Sequence, residues 1–239
     1  MLTSLTELGV KREIEFNHEH LGTVIPKRLL HVLEVLDGAR GRLEPWYGDL
    51  LIKVGNSIAR VCQDLFQTMS QEEALPAAAW NARNLLELWV WIKYCSASKQ
   101  NAWRFHEDAL RDAKGLSESH IMVCKLFGIQ DDYEESRHKV ISNIAFEQLG
   151  LDSVDKNYQK VEKAARNVDM GGLFQAWNVY LSKFAHPTAG LVLGFMHQSD
   201  AVRRLQSTCT TVGLYCCDQC VIVMESTISS IPPECGVAI

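Results

Sequence analysis

Apolar residues recur at intervals of three and four through most of the chain, the period of an amphipathic helix. Residues 2–20 carry Leu2, Leu5, Leu8, Ile14 and Phe16 among many charges and read as a peripheral helix. A second helix follows from Thr23 over Leu29, Leu30, Val32, Leu33 and Leu36, with Pro26 placed in its first turn, where no amide donor is required, and Gly38 and Gly41 at its end. Pro45 opens a third, in which Leu50, Leu51, Val54, Ile58, Val61, Cys62, Leu65, Phe66 and Met69 keep the helical spacing. After a connection at Ser70–Ala77, the stretch PAAAWNARNLLELWVWI from Pro76 to Ile92 is apolar almost all round, so this helix is predicted to lie at the centre of the fold.

Ser98 is positioned to cap a helix reaching Gly115, with Ala102, Phe105, His106, Ala109, Leu110 and Ala113 inward and Arg104, Glu107, Asp108 and Arg111 outward. A short piece from Ser117 to Phe127 follows and closes at Gly128. Asp131 and Asp132 precede a helix with Val140, Ile141, Ile144, Ala145 and Leu149, and Asp152 or Asp155 precedes one with Tyr158, Val161, Ala164 and Ala165. Gly171-Gly172 breaks the chain before a helix over Leu173–His186, which Pro187 should end by disfavouring helical geometry at His186. An apolar stretch, Ala189–Met196, leads to a long last helix over Asp200–Ser230, with Val202, Leu205, Cys209, Val212, Cys216, Cys220 and Val223 along one stripe and Pro232-Pro233 as its stop. Period-two alternation persists nowhere. The expected fold is an all-α, single-domain helical bundle over residues 41–239 with an N-terminal helical arm over 1–40.

Composition narrows the function classes. A hydrophobic content of 47% over 239 residues is enough for a substantial core, and a formal net charge of -5 argues against a dominant electrostatic grip on nucleic acid, although a local basic site is compatible with it. The N-terminal stretch has acidic residues early and no uninterrupted apolar core, and no window reaches the roughly 20 apolar residues of a membrane span; the nearest, Leu205–Met224, carries Asp218. A cytoplasmic protein is expected, without membrane contact, its eight cysteines reduced.

Three constellations carry candidate chemistry. Arg83 and Glu87 stand four apart inside the most apolar helix, so they share one face; they are a surface ion pair, a buried pair fixing helix register, or part of a site. In the helix before Pro187, Gln175, Asn178, Ser182 and His186 form a polar stripe, with Lys183 beside it and Tyr180 on the same helix. A histidine at a helix C-terminus suits phosphate contact or proton transfer, or else simply caps the last carbonyls. Cys216, Cys217 and Cys220 could suggest a metal, yet Cys209, Cys216 and Cys220 continue an apolar stripe, and a reduced cysteine behaves as a small hydrophobe; no metal and no other cofactor is expected. No Gly-rich phosphate loop, nucleophile elbow or H-E-x-x-H is present.

The pairing of A-R-x-L-x-E at Ala82–Glu87 with Y-x-S-x-x-x-H-P at Tyr180–Pro187 resembles a bacterial family of uncharacterised helical proteins grouped near the HEPN superfamily, over roughly Leu50–Met196. The resemblance implies a helical bundle, often dimeric, whose active members are metal-independent endoribonucleases of toxin–antitoxin or antiphage systems. In those members an Arg precedes a His by four to six residues on a late helix, both act on the RNA phosphate and the attacking 2′-hydroxyl, and an acidic residue of an earlier helix orients the Arg. His186 matches the family His in position, but no Arg lies four to six residues before it, and the literal match, Arg12 to His18, falls in the N-terminal helix. The arrangement then expected has Arg83 supplying the guanidinium, Glu87 orienting it and His186 as general acid or base, with Ser182, Lys183, Asn178 and Tyr180 binding substrate. RNA or a nucleotide is the expected ligand and a homodimer the expected assembly; the alternative is a non-catalytic module docking a protein partner, antitoxin-like or scaffolding.

Overall fold

The computed structural model describes residues 18–71, 74–130, 132–149, 158–188, 191 and 199–231. Among the described residues there are eight α-helices and no strand: α1 (His18–Gly38), α2 (Pro45–Met69), α3 (Leu75–Ala97), α4 (Lys99–Leu126), α5 (Asp132–Leu149), α6 (Val161–Asn167), α7 (Gly171–Ala185) and α8 (Ser199–Ser229), with a 3-10 turn at Arg40–Arg42. The protein is an all-α helical bundle. The helical pattern over residues 2–17 and the stretches 150–157 and 192–198 lie outside the described residues, and Arg12 with them.

The chain divides into two compact units. The first joins residues up to Ala97 with those from Val161 onward, and the second is Ser98–Lys160. In the first unit α3 is the central helix, packed against α2, α6, α7 and α8. Its Ala78, Ala79, Ala82, Leu85, Leu86, Val90, Ile92 and Cys95 are fully enclosed, which accounts for the near absence of a polar face in Pro76–Ile92. Each of the larger aliphatic side chains contributes about 1.5–3 kcal/mol by leaving water. Trp89 of α3 and Trp177 of α7 both meet the Tyr215 ring of α8 edge-on, at 5.8 and 5.5 Å, and so lock α7 and α8 onto α3.

Helix α1 packs on α2 and α8, with Ile25, Leu29, Val32 and Leu36 buried. It starts before Pro26, so that proline sits inside the helix and not in its first turn, where it withholds one backbone donor. Arg28 of α1 reaches α8, bonding Asp218 at 2.7 Å and both oxygens of Glu225 at 2.9 and 3.0 Å. Asp218, the charge in the most apolar window of the C-terminal half, is thereby half of an interhelical ion pair. The stripe of α8 is buried at Cys209, Cys216 and Cys220, joined by Leu214, Cys217 and Val221. Burial pushes the Cys209 and Cys95 thiols up to about 12, and a thiol–thiol hydrogen bond to Cys62 with burial raises Cys217. These groups are packing elements, and among the described residues no set of three or more His, Cys, Asp or Glu side chains is placed to hold a metal ion. No helix among the described residues is long and apolar enough to cross a membrane.

The second unit is a hairpin of α4 and α5. Ser98 caps α4 as expected, its hydroxyl accepting from the Asn101 amide at 3.1 Å. The helix then continues through Gly115 to Leu126 without the break expected there. A glycine inside a helix costs about 1 kcal/mol against alanine and is no stop by itself. Asp108 and Arg111, expected on the outer face, are both buried: Arg111 bonds Asp108 Oδ1 at 3.0 Å, and Asp108 Oδ2 accepts the Gln159 amide at 2.9 Å. Ala109, expected inward, is exposed. The face was set by satisfaction of these charges, not by the few apolar residues of α4.

Candidate functional site

The site lies in the first unit, between α3 and α7. Trp80, Arg83 and Glu87 occupy successive turns of α3 on one face, and α7 presents Asn178 and His186 to it. The C-terminus of α7 is set by Pro187: His186 leaves the helix in an extended conformation, φ -121° and ψ 153°, as the residue before a proline must. Thr188 then secures the turn, its hydroxyl donating to the Lys183 carbonyl at 3.2 Å.

Each guanidinium nitrogen of Arg83 meets a different partner. Nε donates to Asn178 Oδ1 at 2.9 Å, Nη1 lies 2.8 Å from His186 Nε2, and Nη2 lies 3.3 Å from Glu87 Oε1. Arginine has no acceptor, so the Nη1 contact requires a lone pair on His186 Nε2; the neutral ring therefore carries its proton on Nδ1. Trp80 stands edge-on to that ring at 5.8 Å and limits its rotation. The side chains of Arg83 and Glu87 are 25% and 30% exposed, and His186 is exposed, so a ligand in solvent can reach the imidazole and one side of the guanidinium.

Of the residues singled out in the sequence, Arg83, Glu87, Asn178 and His186 are thus brought together. Asn178 stands as the holder of Arg83, a role invisible in the sequence because it depends on how α7 is rotated against α3. Ser182 donates to the Asn178 carbonyl one turn back at 2.6 Å, which occupies its hydroxyl within the helix. Lys183 is exposed near the C-terminus of α7. Tyr180 turns away: its ring packs edge-on against Phe184 at 5.2 Å, and its hydroxyl bonds Thr208 on α8. Trp80 was missed, although its position three residues before Arg83 puts it on the same helix face.

Burial raises the Glu87 carboxyl above its ordinary 4.5, against the lowering pull of Arg83. Glu87 therefore binds a proton more readily folded than unfolded, so its contribution to stability is fully present below pH 4.5 and is lost as pH rises through the raised folded value. Glu87→Gln is expected to equal or exceed the parent in stability at pH 7, by under about 1 kcal/mol for a part-exposed group, and the advantage should shrink toward pH 4. Thermal melts of both proteins across that range check it. An advantage that grows toward pH 4 would mean the Arg83 attraction outweighs burial.

Comparison with known protein families, curated proteins and solved structures finds no match to this chain.

Proposed function

We propose that the cluster handles RNA phosphate, and that the protein is a HEPN-like metal-independent endoribonuclease. The observation that carries this reading is the 2.8 Å contact of Arg83 Nη1 with His186 Nε2, made by side chains 103 residues apart and open to solvent at the imidazole. A cation and a proton acceptor held side by side are what transesterification of RNA requires: charge for the phosphate, and a base for the 2′-hydroxyl.

An entering phosphate accepts from the Arg83 guanidinium and releases the Nε2 lone pair. The 2′-hydroxyl then gives its proton to Nε2 as its oxygen attacks phosphorus. The bond from the 2′-oxygen to phosphorus forms, the bond to the 5′-oxygen breaks, and the departing 5′-oxygen takes a proton from a water molecule, which recovers one from Nε2, leaving a 2′,3′-cyclic phosphate, a 5′-hydroxyl and the neutral imidazole. Asn178 and Glu87 hold the guanidinium while this happens. The Arg missing ahead of His186 is replaced, in this reading, by Arg83 from the neighbouring helix.

His186→Ala is expected to lower cleavage of total RNA, assayed with a chelator present, by 10²- to 10⁴-fold, with the fold intact by circular dichroism. Equal cleavage by the parent and His186→Ala sinks the proposal. A second reading, a non-catalytic module that docks a protein partner, is favoured by a different observation. The hairpin unit exposes Leu116, Met122, Leu126, Phe127 and Tyr133, all five more than half exposed. Absence of any cleavage by the parent selects it.

A further inference from the structure

A cavity of about 480 Å³ opens beside the cluster, within the range of small-ligand pockets. Its lining includes Glu162 and Arg166 of α6 and Gly171, Gly172, Gln175 and Asn178 of α7. Asn178 is common to both: the residue that bounds the cavity also accepts the Arg83 Nε bond, so one side chain separates the cavity from the proposed cleavage centre.

The charges on the wall are uncommitted. Glu162 and Arg166 are one turn apart on α6, yet among the described residues neither pairs with the other or with any further group, and Gln175 is equally without a partner. On a helix, i,i+4 residues have Cβ atoms about 5–6 Å apart on one face, so an unpaired carboxylate and guanidinium stand side by side there as an acceptor and a donor set. A carboxylate accepts two adjacent donors and a guanidinium donates to two adjacent acceptors. Guanine carries both sets side by side, with N1–H and the N2 amino group next to O6 and N7. Adenine and cytosine would turn an amino group toward the arginine, where donor meets donor, and uracil offers a single donor to the carboxylate.

We propose that this cavity is a guanine-base subsite, which sets a guanosine beside the scissile phosphate. The proposal rests on the ribonuclease reading for the word scissile, but base binding does not depend on it. Glu162 takes N1–H and N2–H, Arg166 takes O6 and N7, and Gln175 and the free amide hydrogens of Asn178 line the sugar side. Gly172 lines the cavity at an exposed position, and a Cβ built there meets nothing within 4 Å, so a larger side chain at this wall finds open space.

The test is calorimetric titration of the whole chain with GMP, AMP, CMP, UMP and inorganic phosphate, with a chelator present. GMP is expected to bind at least about tenfold more tightly than the other four, and Glu162→Gln and Gly172→Leu are each expected to weaken it at least about tenfold. Equal binding of the four nucleotides, phosphate competing as well as GMP, or full GMP affinity in a folded Gly172→Leu protein overturns the proposal. Should Gly172→Leu fail to fold, Glu162→Gln decides alone. Guanine-selective binding without any RNA cleavage upholds the subsite and rejects the ribonuclease reading. Cleavage with no preference for guanosine, unaffected by Gly172→Leu, does the reverse.

Discussion

Arg83→Lys is expected to lose RNA cleavage almost as completely as Arg83→Ala, by about 10²- to 10³-fold. A lysine keeps the positive charge, and if charge near the phosphate were all that mattered it would rescue most of the activity. The geometry assigns a separate partner to each of three nitrogens: Asn178 to Nε, His186 to Nη1 and Glu87 to Nη2. An ammonium cannot hold that fork, and its strong hydration draws it toward solvent. Stability follows a different course in the two variants. Alanine leaves the half-buried Glu87 carboxylate and the Asn178 amide oxygen without a donor, at a cost of about 1–2 kcal/mol after allowance for their partial exposure. Lysine keeps a donor near Glu87 and loses less. Rates on total RNA, set beside urea denaturation midpoints for the same proteins, separate the two quantities. Substantial rescue of cleavage by lysine would reduce Arg83 to a diffuse charge and remove the positioning argument.

The pairing of Arg83 with His186 was legible in the sequence because both signals are local anomalies. A charged pair in a helix apolar on every other face must find polar company, and a polar stripe ending before a proline is the company on offer. The central place of α3 follows from the same run of apolar residues. What stayed hidden depends on rotation and neighbours. Tyr180 and Asn178 are two residues apart, about 200° around α7, so one faces α3 and the other α8. Their sequence neighbourhood cannot tell which does which. Asp108 and Arg111 looked like an outer face because charges usually are, whereas mutual bonding and the Gln159 amide let them go inside. The cavity left no linear signal at all: Glu162 and Arg166 are an ordinary i,i+4 pair until α7 begins at Gly171 and brings Gln175 and Asn178 opposite them.

Gly213→Val is expected to destabilise the first unit by about 3 kcal/mol, lowering its melting temperature by roughly 6–12 °C. At Gly213, α8 passes close over Ala82 of α3. A Cβ there would lie 2.6 Å from Leu65 Cδ2, 3.1 Å from Ala82 Cα and 3.2 Å from Ala82 Cβ. The leucine methyl can rotate away, but the Ala82 backbone belongs to the central helix and cannot yield without moving α3. Gly55→Ala is the contrasting case. Its Cβ would meet Leu33 Cδ2 at 2.5 Å and Met224 Cε at 2.8 Å, both ends of flexible side chains, and the gain of about 1 kcal/mol in helix propensity offsets their adjustment. Tryptophan fluorescence during urea unfolding reads mainly the first unit, which contains Trp46, Trp80, Trp89, Trp91 and Trp177. The midpoint should fall for Gly213→Val with the slope unchanged, and should hardly move for Gly55→Ala. The effect also reaches the candidate site, because Ala82 adjoins Arg83: a shift of α3 by a few tenths of an ångström lengthens the 2.8 Å and 2.9 Å bonds to His186 and Asn178. RNA cleavage by Gly213→Val should therefore fall even at temperatures where the protein is fully folded, as a positioning effect transmitted through the backbone of α3. If Gly213→Val is as stable as the parent, α8 does not seat on α3 at this contact, and neither the packing nor its link to Arg83 stands.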